Sequence, residues 1–219
     1  MNTNNLDFDK NAKIIIIPEG TIEIPSKAFS HFTNLEEVIM PDSVIYIDAE
    51  AFAWCTSLKK IKLSNKLRAL GIRAFANCHS LEEITIPSSL FYIPIGCFSY
   101  CRNLKTLNLH DNVKDISNYA LYNCRKLTNF KLPNNINNLG VKSLSGCNKI
   151  KEIHIPKNLE YIESGALSLM SSLSKITVDP ENSRYISDKG IALIDKKEQA
   201  FIQYAINNKE KEYKVENVS

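Results

Sequence analysis

Cysteine recurs every 23 residues, at Cys55, Cys78, Cys101, Cys124 and Cys147. The stride belongs to the whole sequence and not to the thiols alone. Set in rows of 23, the chain aligns without a gap from about Ile14 to Val178. A small-residue column (Ala28, Ala51, Ala74, Cys97, Ala120, Ser143, Ala166) precedes a Phe or Leu column (Phe29, Phe52, Phe75, Phe98, Leu121, Leu144, Leu167). Three residues on, the cysteine column starts at Phe32 and ends at Met170; a Leu/Ile column and two inward Val/Ile/Leu columns follow, then Pro41, Pro87, Pro133 and Pro156. Each row reads A-F-x-x-C-x-x-L-x-x-I-x-I-P-x-x-L-x-x-I. One such row cannot bury its own apolar side chains. Stacked rows can, because each column becomes a continuous ladder of like residues inside a solenoid. The L-x-x-I-x-I segment alternates as a short strand does, and proline after it removes a donor and ends the pairing. The A-F-x-x-C tract has helical spacing and predicts one to two turns of helix or 3₁₀ turn. The expected fold is an α/β solenoid of about seven coils with a parallel sheet on one face.

These residues resemble the leucine-rich repeat class, with its L-x-x-L-x-L core followed by Asn or Cys. They are most similar to the BspA-like, or Treponema pallidum-type, subfamily, whose repeat carries "AF…C.sL..i.iP..v..I"; "AFANCHSLEEITIPSSLFYI" at 74–93 follows that pattern closely. The departures lie at the outer rows, where Phe32 and Met170 replace cysteine and Leu replaces Phe from Leu121 onward. The resemblance implies a right-handed leucine-rich coil. It also implies adhesion to host matrix or to other cells, hence a cell-surface or secreted protein of a microbe or protist.

The repeat divides the chain into a flank at 1–13, the solenoid at 14–178, and a tail at 179–219 where the stride fails. In the tail, Asp179-Pro180 and Lys189-Gly190 are turn signals, and the alternating runs Gly190–Ile194 and Ala200–Ala205 predict a β-hairpin that caps the last coil or interrupts a longer array. Its end, "YKVENVS", loosely matches the start of a new row and carries a sequon at Asn217. A net charge of +3 gives no indication of a nucleic-acid partner. Met1–Lys10 has no apolar core, so no signal peptide is visible, and the longest aliphatic run, Ile14–Ile17, is far short of a membrane span.

Three readings compete for the cysteines. Cysteine is small, apolar and a weak donor, which suits a ladder of buried free thiols. Zinc sites need sulfurs converging on one point, and rungs a strand spacing apart do not converge. Disulfides between adjacent rows have a plausible Cα separation, but side chains in equivalent rotamers point alike. The buried ladder is the expected state, with no metal and no cofactor.

Function must then sit on positions the stack does not need. Two columns flank the inward residues of the strand: Glu37, Lys60, Glu83, Thr106, Asn129, Glu152 and Lys175, and Ile39, Lys62, Thr85, Asn108, Lys131, His154 and Thr177. Alternating Glu and Lys predict cross-strand pairs, each stabilising by about 0.2–1 kcal/mol. The same face is the expected surface for a protein, matrix or cell-surface partner. Tyr46, Phe91, Tyr92, Tyr100, Tyr119, Tyr122 and Tyr161 lie off the strand, as packing residues or as a second surface. The four histidines (His31, His79, His110, His154) stand apart in the pattern, and no G-x-S-x-G, H-E-x-x-H, P-loop or G-x-G-x-x-G occurs. A non-catalytic binding module is expected; the alternative is an intracellular scaffold or effector, which free thiols and the absence of a visible leader favour.

Overall fold

The computed structural model describes residues 8–205 and 207. Two parallel ladders run along the chain, not one. The first is built from the L-x-x-I-x-I segments: Ile14–Ile16, Glu37–Ile39 and Lys60–Ile61, then Glu83–Thr85 and Thr106–Asn108, then Glu152–Ile155 and Lys175–Val178. Its register is the sequence stride, with Ile14 opposite Glu37, Glu83 opposite Thr106 and Ile153 opposite Ile176. Burial alternates along each strand, so one side chain enters the core and its neighbours face out. The second ladder forms from the V-x-x-I ends: Glu23–Ile24, Tyr46–Ile47 and Ala69–Leu70, then Tyr92–Ile93, Asp115–Ile116, Asn138–Leu139 and Tyr161–Ile162. A turn at the proline column joins the two, closed by Val44 N–H to Pro41 (3.2 Å), Leu90 to Pro87 (3.0 Å) and Ile136 to Pro133 (3.1 Å). Where the second ladder would continue from Leu70, the donor position is Pro94, which has no N–H, and the ladder breaks there.

The third side corrects the expected helix. No helix occurs among the described residues, so the fold is a β-solenoid of about seven coils and not α/β. Two positions per coil, four residues apart, take left-handed backbone: Lys27 (φ 61°) and His31 (φ 64°), Glu50 (57°) and Trp54 (65°), Arg73 (55°) and Asn77 (62°). A left-handed residue every fourth position prevents a run of right-handed turns. The N–H groups of Lys27, Phe29 and His31 instead donate to Ala49, Ala51 and Ala53 of the next coil at 3.1, 2.8 and 2.9 Å. The intervening Ala28 and Ser30 close local turns onto Pro25 and Lys27. This third hydrogen-bonded seam repeats from coil to coil, for example Phe52 to Ala74 (2.8 Å) and Phe75 to Cys97 (2.9 Å). Each left-handed non-glycine residue costs about 1–2 kcal/mol, offset by satisfying backbone groups that would otherwise be buried unpaired.

The small and aromatic columns make the core. Phe29, Phe52, Phe75 and Phe98 are fully buried and stacked, with ring centroids 5.1, 5.2 and 5.6 Å apart in turn. After Val178 the chain forms an antiparallel sheet of Tyr185–Asp188, Ala192–Asp195 and Ala200–Tyr204. The hairpin reading of the sequence did not include the first of these strands. Gly190 carbonyl accepts the Ile176 N–H at 2.7 Å, so this sheet lies over the last coil. "YKVENVS" and its sequon lie outside the described residues.

Candidate functional site

The two outward columns of the first ladder share one face. Glu37, Thr106 and Thr177 are half-buried; Ile39, Lys60, Lys62, Glu83, Thr85, Asn108, Asn129, Lys131, Glu152, His154 and Lys175 are exposed. The inward partner of each strand is held in the core, which fixes the outward side chains at a constant spacing along the stack. Asn108 Nδ2 donates to Glu83 Oε1 and Thr85 Oγ1, both at 3.0 Å, and His154 Nδ1 lies 2.9 Å from Thr177 Oγ1. Glu152 and Lys175 approach to 3.9 Å. The shorter ion pairs run in the column one residue earlier: Lys13 to Glu36 (3.6 Å), Lys59 to Glu36 (2.7 Å) and Lys105 to Glu82 (2.8 Å). Lys59 and Lys105 hold the Glu36 and Glu82 carboxyls below their ordinary value, by hydrogen bonding first and by charge second.

The face is not uniform. A cleft opens between Lys60–Ile61 and Glu83–Thr85, where the first ladder is interrupted, lined by Ile39, Lys60, Lys62, Glu83 and Thr85. A second opens at Asn129–Lys131, a coil with no strand on this face, lined by Thr128, Lys131, Lys149, Lys151 and His154. Neither interruption is visible in the periodicity.

The thiols lie elsewhere. Cys55, Cys78, Cys101, Cys124 and Cys147 are free and fully buried, as is Cys97 in the small-residue column. Each ladder Sγ sits close to the carbonyl of the Phe or Leu column one coil earlier: Cys55 to Phe29 (3.1 Å), Cys78 to Phe52 (3.2 Å), Cys101 to Phe75 (3.1 Å), Cys124 to Phe98 (3.2 Å) and Cys147 to Leu121 (3.4 Å). Burial pushes the Cys55 and Cys147 thiols up to about 12, and Cys78, Cys97 and Cys124 well above the ordinary value. The five ladder thiols donate to backbone carbonyls inside the core, which is a packing role. No three His, Cys, Asp or Glu side chains converge on a point among the described residues.

The aromatic residues divide between the other two sides. Tyr46, Tyr92 and Tyr161 occupy the outward column of the second ladder and are exposed. Tyr100, Tyr119 and Tyr122 meet edge to face along the third seam, at 5.3 and 5.8 Å. Trp54, which periodicity does not single out, stacks on His31 at 5.7 Å in the left-handed column.

The family model described as the BspA type leucine-rich repeat region matches in six copies, over residues 6–128 and 68–191. Among solved structures, a leucine-rich repeat protein of T. pallidum is 33% identical and superposes with a TM-score of 0.62, over 65% of this chain and 69% of that one. A Bacteroides ovatus leucine-rich repeat protein is 28% identical, with a TM-score of 0.55 over 76% of this chain and 55% of its own. A leucine-rich cell surface protein of Faecalibacterium prausnitzii shares the fold at 23% identity, with a TM-score of 0.67 over 94% of this chain and 58% of its own. The chain spans little more than half the length of the last two. No curated protein matches the chain closely enough in sequence to stand as a relative. No helix among the described residues is long and apolar enough to cross a membrane. With the row pattern, the stacked coils and the matched model in agreement, the chain belongs to the BspA type leucine-rich repeat family.

Proposed function

We propose that this chain is a non-catalytic binding module that holds a protein or cell-surface ligand on the face of its first ladder, as part of an adhesin-like surface protein. One observation carries the reading: both outward columns, from Glu37 to Lys175 and from Ile39 to Thr177, turn their side chains to one face that the core does not use. The cell surface protein of F. prausnitzii and the pneumococcal vaccine antigen PcpA share the fold, which supports the surface location by analogy. The buried free thiols favour a second reading, an intracellular scaffold kept in a reducing compartment. In either case the segment 179–205 covers the coil that precedes it, as a cap or as an insertion between repeats of a longer array.

The native thiols are buried, so one new surface cysteine can be modified selectively. Asn108→Cys carrying a polyethylene glycol chain blocks the face; Lys114→Cys, on the second ladder, is the control. Beads coated with the unmodified chain should be retained on epithelial monolayers or on matrix-coated surfaces. Blocking Asn108 should lower retention about tenfold or more, and blocking Lys114 should leave it intact. Equal retention of both would remove the face from the account. Labelling of intact cells with an impermeant reagent separates the compartments: a protein left untouched belongs inside.

A further inference from the structure

The first ladder has a free edge at its first coil, and the residues on it are unlike those of every other coil. Ile14–Ile16 is the end strand of its sheet and pairs with Glu37–Ile39; among the described residues no chain lies against its other side. Ile17 N–H donates to the Ile39 carbonyl at 2.9 Å, and the Lys13 carbonyl accepts from Glu36 and Glu37 at 2.7 and 3.1 Å. In a parallel pair, alternate residues turn both main-chain groups to the partner. Lys13, Ile15 and Ile17 therefore face the next coil, and the N–H and C=O of Ile14 and Ile16 point out of the stack. The side chains of Ile14 and Ile16 are exposed, while Ile15 is buried.

Every other coil puts at least one polar side chain in the two outward positions: Glu37 with Ile39, Lys60 with Lys62, Glu83 with Thr85, and so on to Lys175 with Thr177. Only the edge coil fills both with isoleucine. Open strand edges are ordinarily blunted by charge or proline, since a bare aliphatic edge is a template for another strand. The second ladder follows that rule, ending on Glu23–Ile24 with Glu23 exposed. The first does not. Its charges stand at the two ends of the strand instead, Lys10 and Lys13 before the isoleucines and Glu19 after them. Lys13 reaches Glu36 only at 3.6 Å, and Glu19 forms no ion pair among the described residues. An antiparallel neighbour of the same sequence brings Lys13 of one copy toward Glu19 of the other; a parallel one sets like charges side by side.

We propose that this edge pairs two copies of the chain, Ile14–Ile16 against Ile14–Ile16 of the second copy, antiparallel about a two-fold axis through Ile15. The main chain selects that register. Ile14 of each copy sits opposite Ile16 of the other, and the pair exchanges both N–H to C=O bonds, so each outward-pointing group on the edge finds a partner. The same residues meet themselves, as an isologous interface requires. On the outward side Ile14 packs beside Ile16 of the second copy, and each Ile15 stays with its own core. A foreign strand meets the same main-chain groups, but the match of Ile to Ile and of Lys13 to Glu19 is supplied by this chain itself. The axis stands normal to the sheet, so the outward columns of both copies lie on one side and form a longer face. The pairing holds whatever that face binds.

Sedimentation equilibrium over a concentration series should show a monomer–dimer balance that moves toward monomer as salt rises. Ile14→Lys with Ile16→Lys alters only exposed side chains and should weaken dimerisation about tenfold or more, by setting like charges across the edge. Ile16→Pro removes an N–H that the coil itself does not use, so the fold is kept and the dimer is lost. Ile72→Lys, at an exposed isoleucine away from this ladder, should change nothing. The register has its own test. Chains carrying Ile14→Cys, mixed with chains carrying Ile16→Cys and oxidised with diamide, should cross-link, because the paired Cα atoms stand about 5.5 Å apart. Ile14→Cys alone should not, since its two copies stand roughly 8–9 Å apart. Amide exchange at Ile14 and Ile16 should slow as concentration rises. A chain that stays monomeric, edge variants that associate like the unmodified chain, or equal cross-linking of Ile14→Cys alone each overturn the proposal. A monomer with both amides protected does so too, since another segment then covers the edge.

Discussion

Phe75→Ala should lower the free energy of unfolding by about 3–5 kcal/mol, the range for deleting a fully buried aromatic ring. Phe75 is stacked between Phe52 and Phe98, at 5.2 and 5.6 Å, with no solvent exposure. Its loss leaves a cavity between two rungs and strips a ring contact from each neighbour, so the cost exceeds simple transfer to water. Phe75→Leu should cost much less, about 1–1.5 kcal/mol, because the chain itself uses leucine at Leu121, Leu144 and Leu167 of the same column. Trp54→Ala, on an exposed position, is the comparison that should cost little. Urea unfolding of the three variants measures the differences. A cost below about 1 kcal/mol for Phe75→Ala would mean the column does not hold neighbouring coils together.

The second large effect is expected at the junction between the last coil and the antiparallel sheet. Asp195 is almost fully buried, and its Oδ2 accepts from Arg184 Nε at 2.8 Å. Arg184 also donates to the Glu160 carbonyl at 2.7 Å and lies over the rings of Tyr161 and Tyr185. Removing Arg184 leaves the carboxylate buried without its counter-charge, so Arg184→Ala should cost about 3 kcal/mol. The loss should appear first in amide exchange of 185–204. Burial pushes the Asp195 carboxyl up, but the Arg184 bond and the N–H groups of Glu198 and Lys197 outweigh it, and its net shift is downward. The stabilisation from this carboxylate is therefore complete above the ordinary Asp range near pH 4 and declines as pH falls through its lower folded value. Exchange in 185–204 should quicken in acid before exchange in the central coils does. Simultaneous loss in both would show that the sheet does not open as a separate unit.

The stride of 23 makes most of the core legible without coordinates, since every column that repeats in type is a column that stacks. Less legible is the backbone between columns. A-F-x-x-C carries apolar residues at helical spacing, yet Lys27, His31, Glu50 and Trp54 are left-handed and the intervening N–H groups bond across coils. Asn77, Gly96, Asn123, Gly146 and Gly165 occupy the same two positions and are the signal that could have shown it, because Asn and Gly tolerate positive φ. The second ladder escaped notice because two-residue strands such as Tyr46–Ile47 are too short to alternate. On the candidate face, the columns follow from alternation alone. The short ion pairs do not: they depend on which side chain reaches across a strand spacing, and they fall to Glu36 and Glu82 rather than to Glu37 and Glu83. Phe130 is visible as an odd member of its column, but the loss of a strand at that coil is not.

The ladder cysteines are filling for the stack, donors to neighbouring carbonyls and not reagents. Cys55 and Cys147, with thiols pushed up to about 12, should hold about a thousandfold less thiolate near neutral pH than thiols at the ordinary 9.0. The most direct measurement is thiol titration with an aromatic disulfide, in the absence of reductant, before and after unfolding in guanidinium. The folded chain should show no fast-reacting thiol and the unfolded chain all six. A thiol that reacts rapidly in the folded protein, or fewer than six after unfolding, would contradict that role.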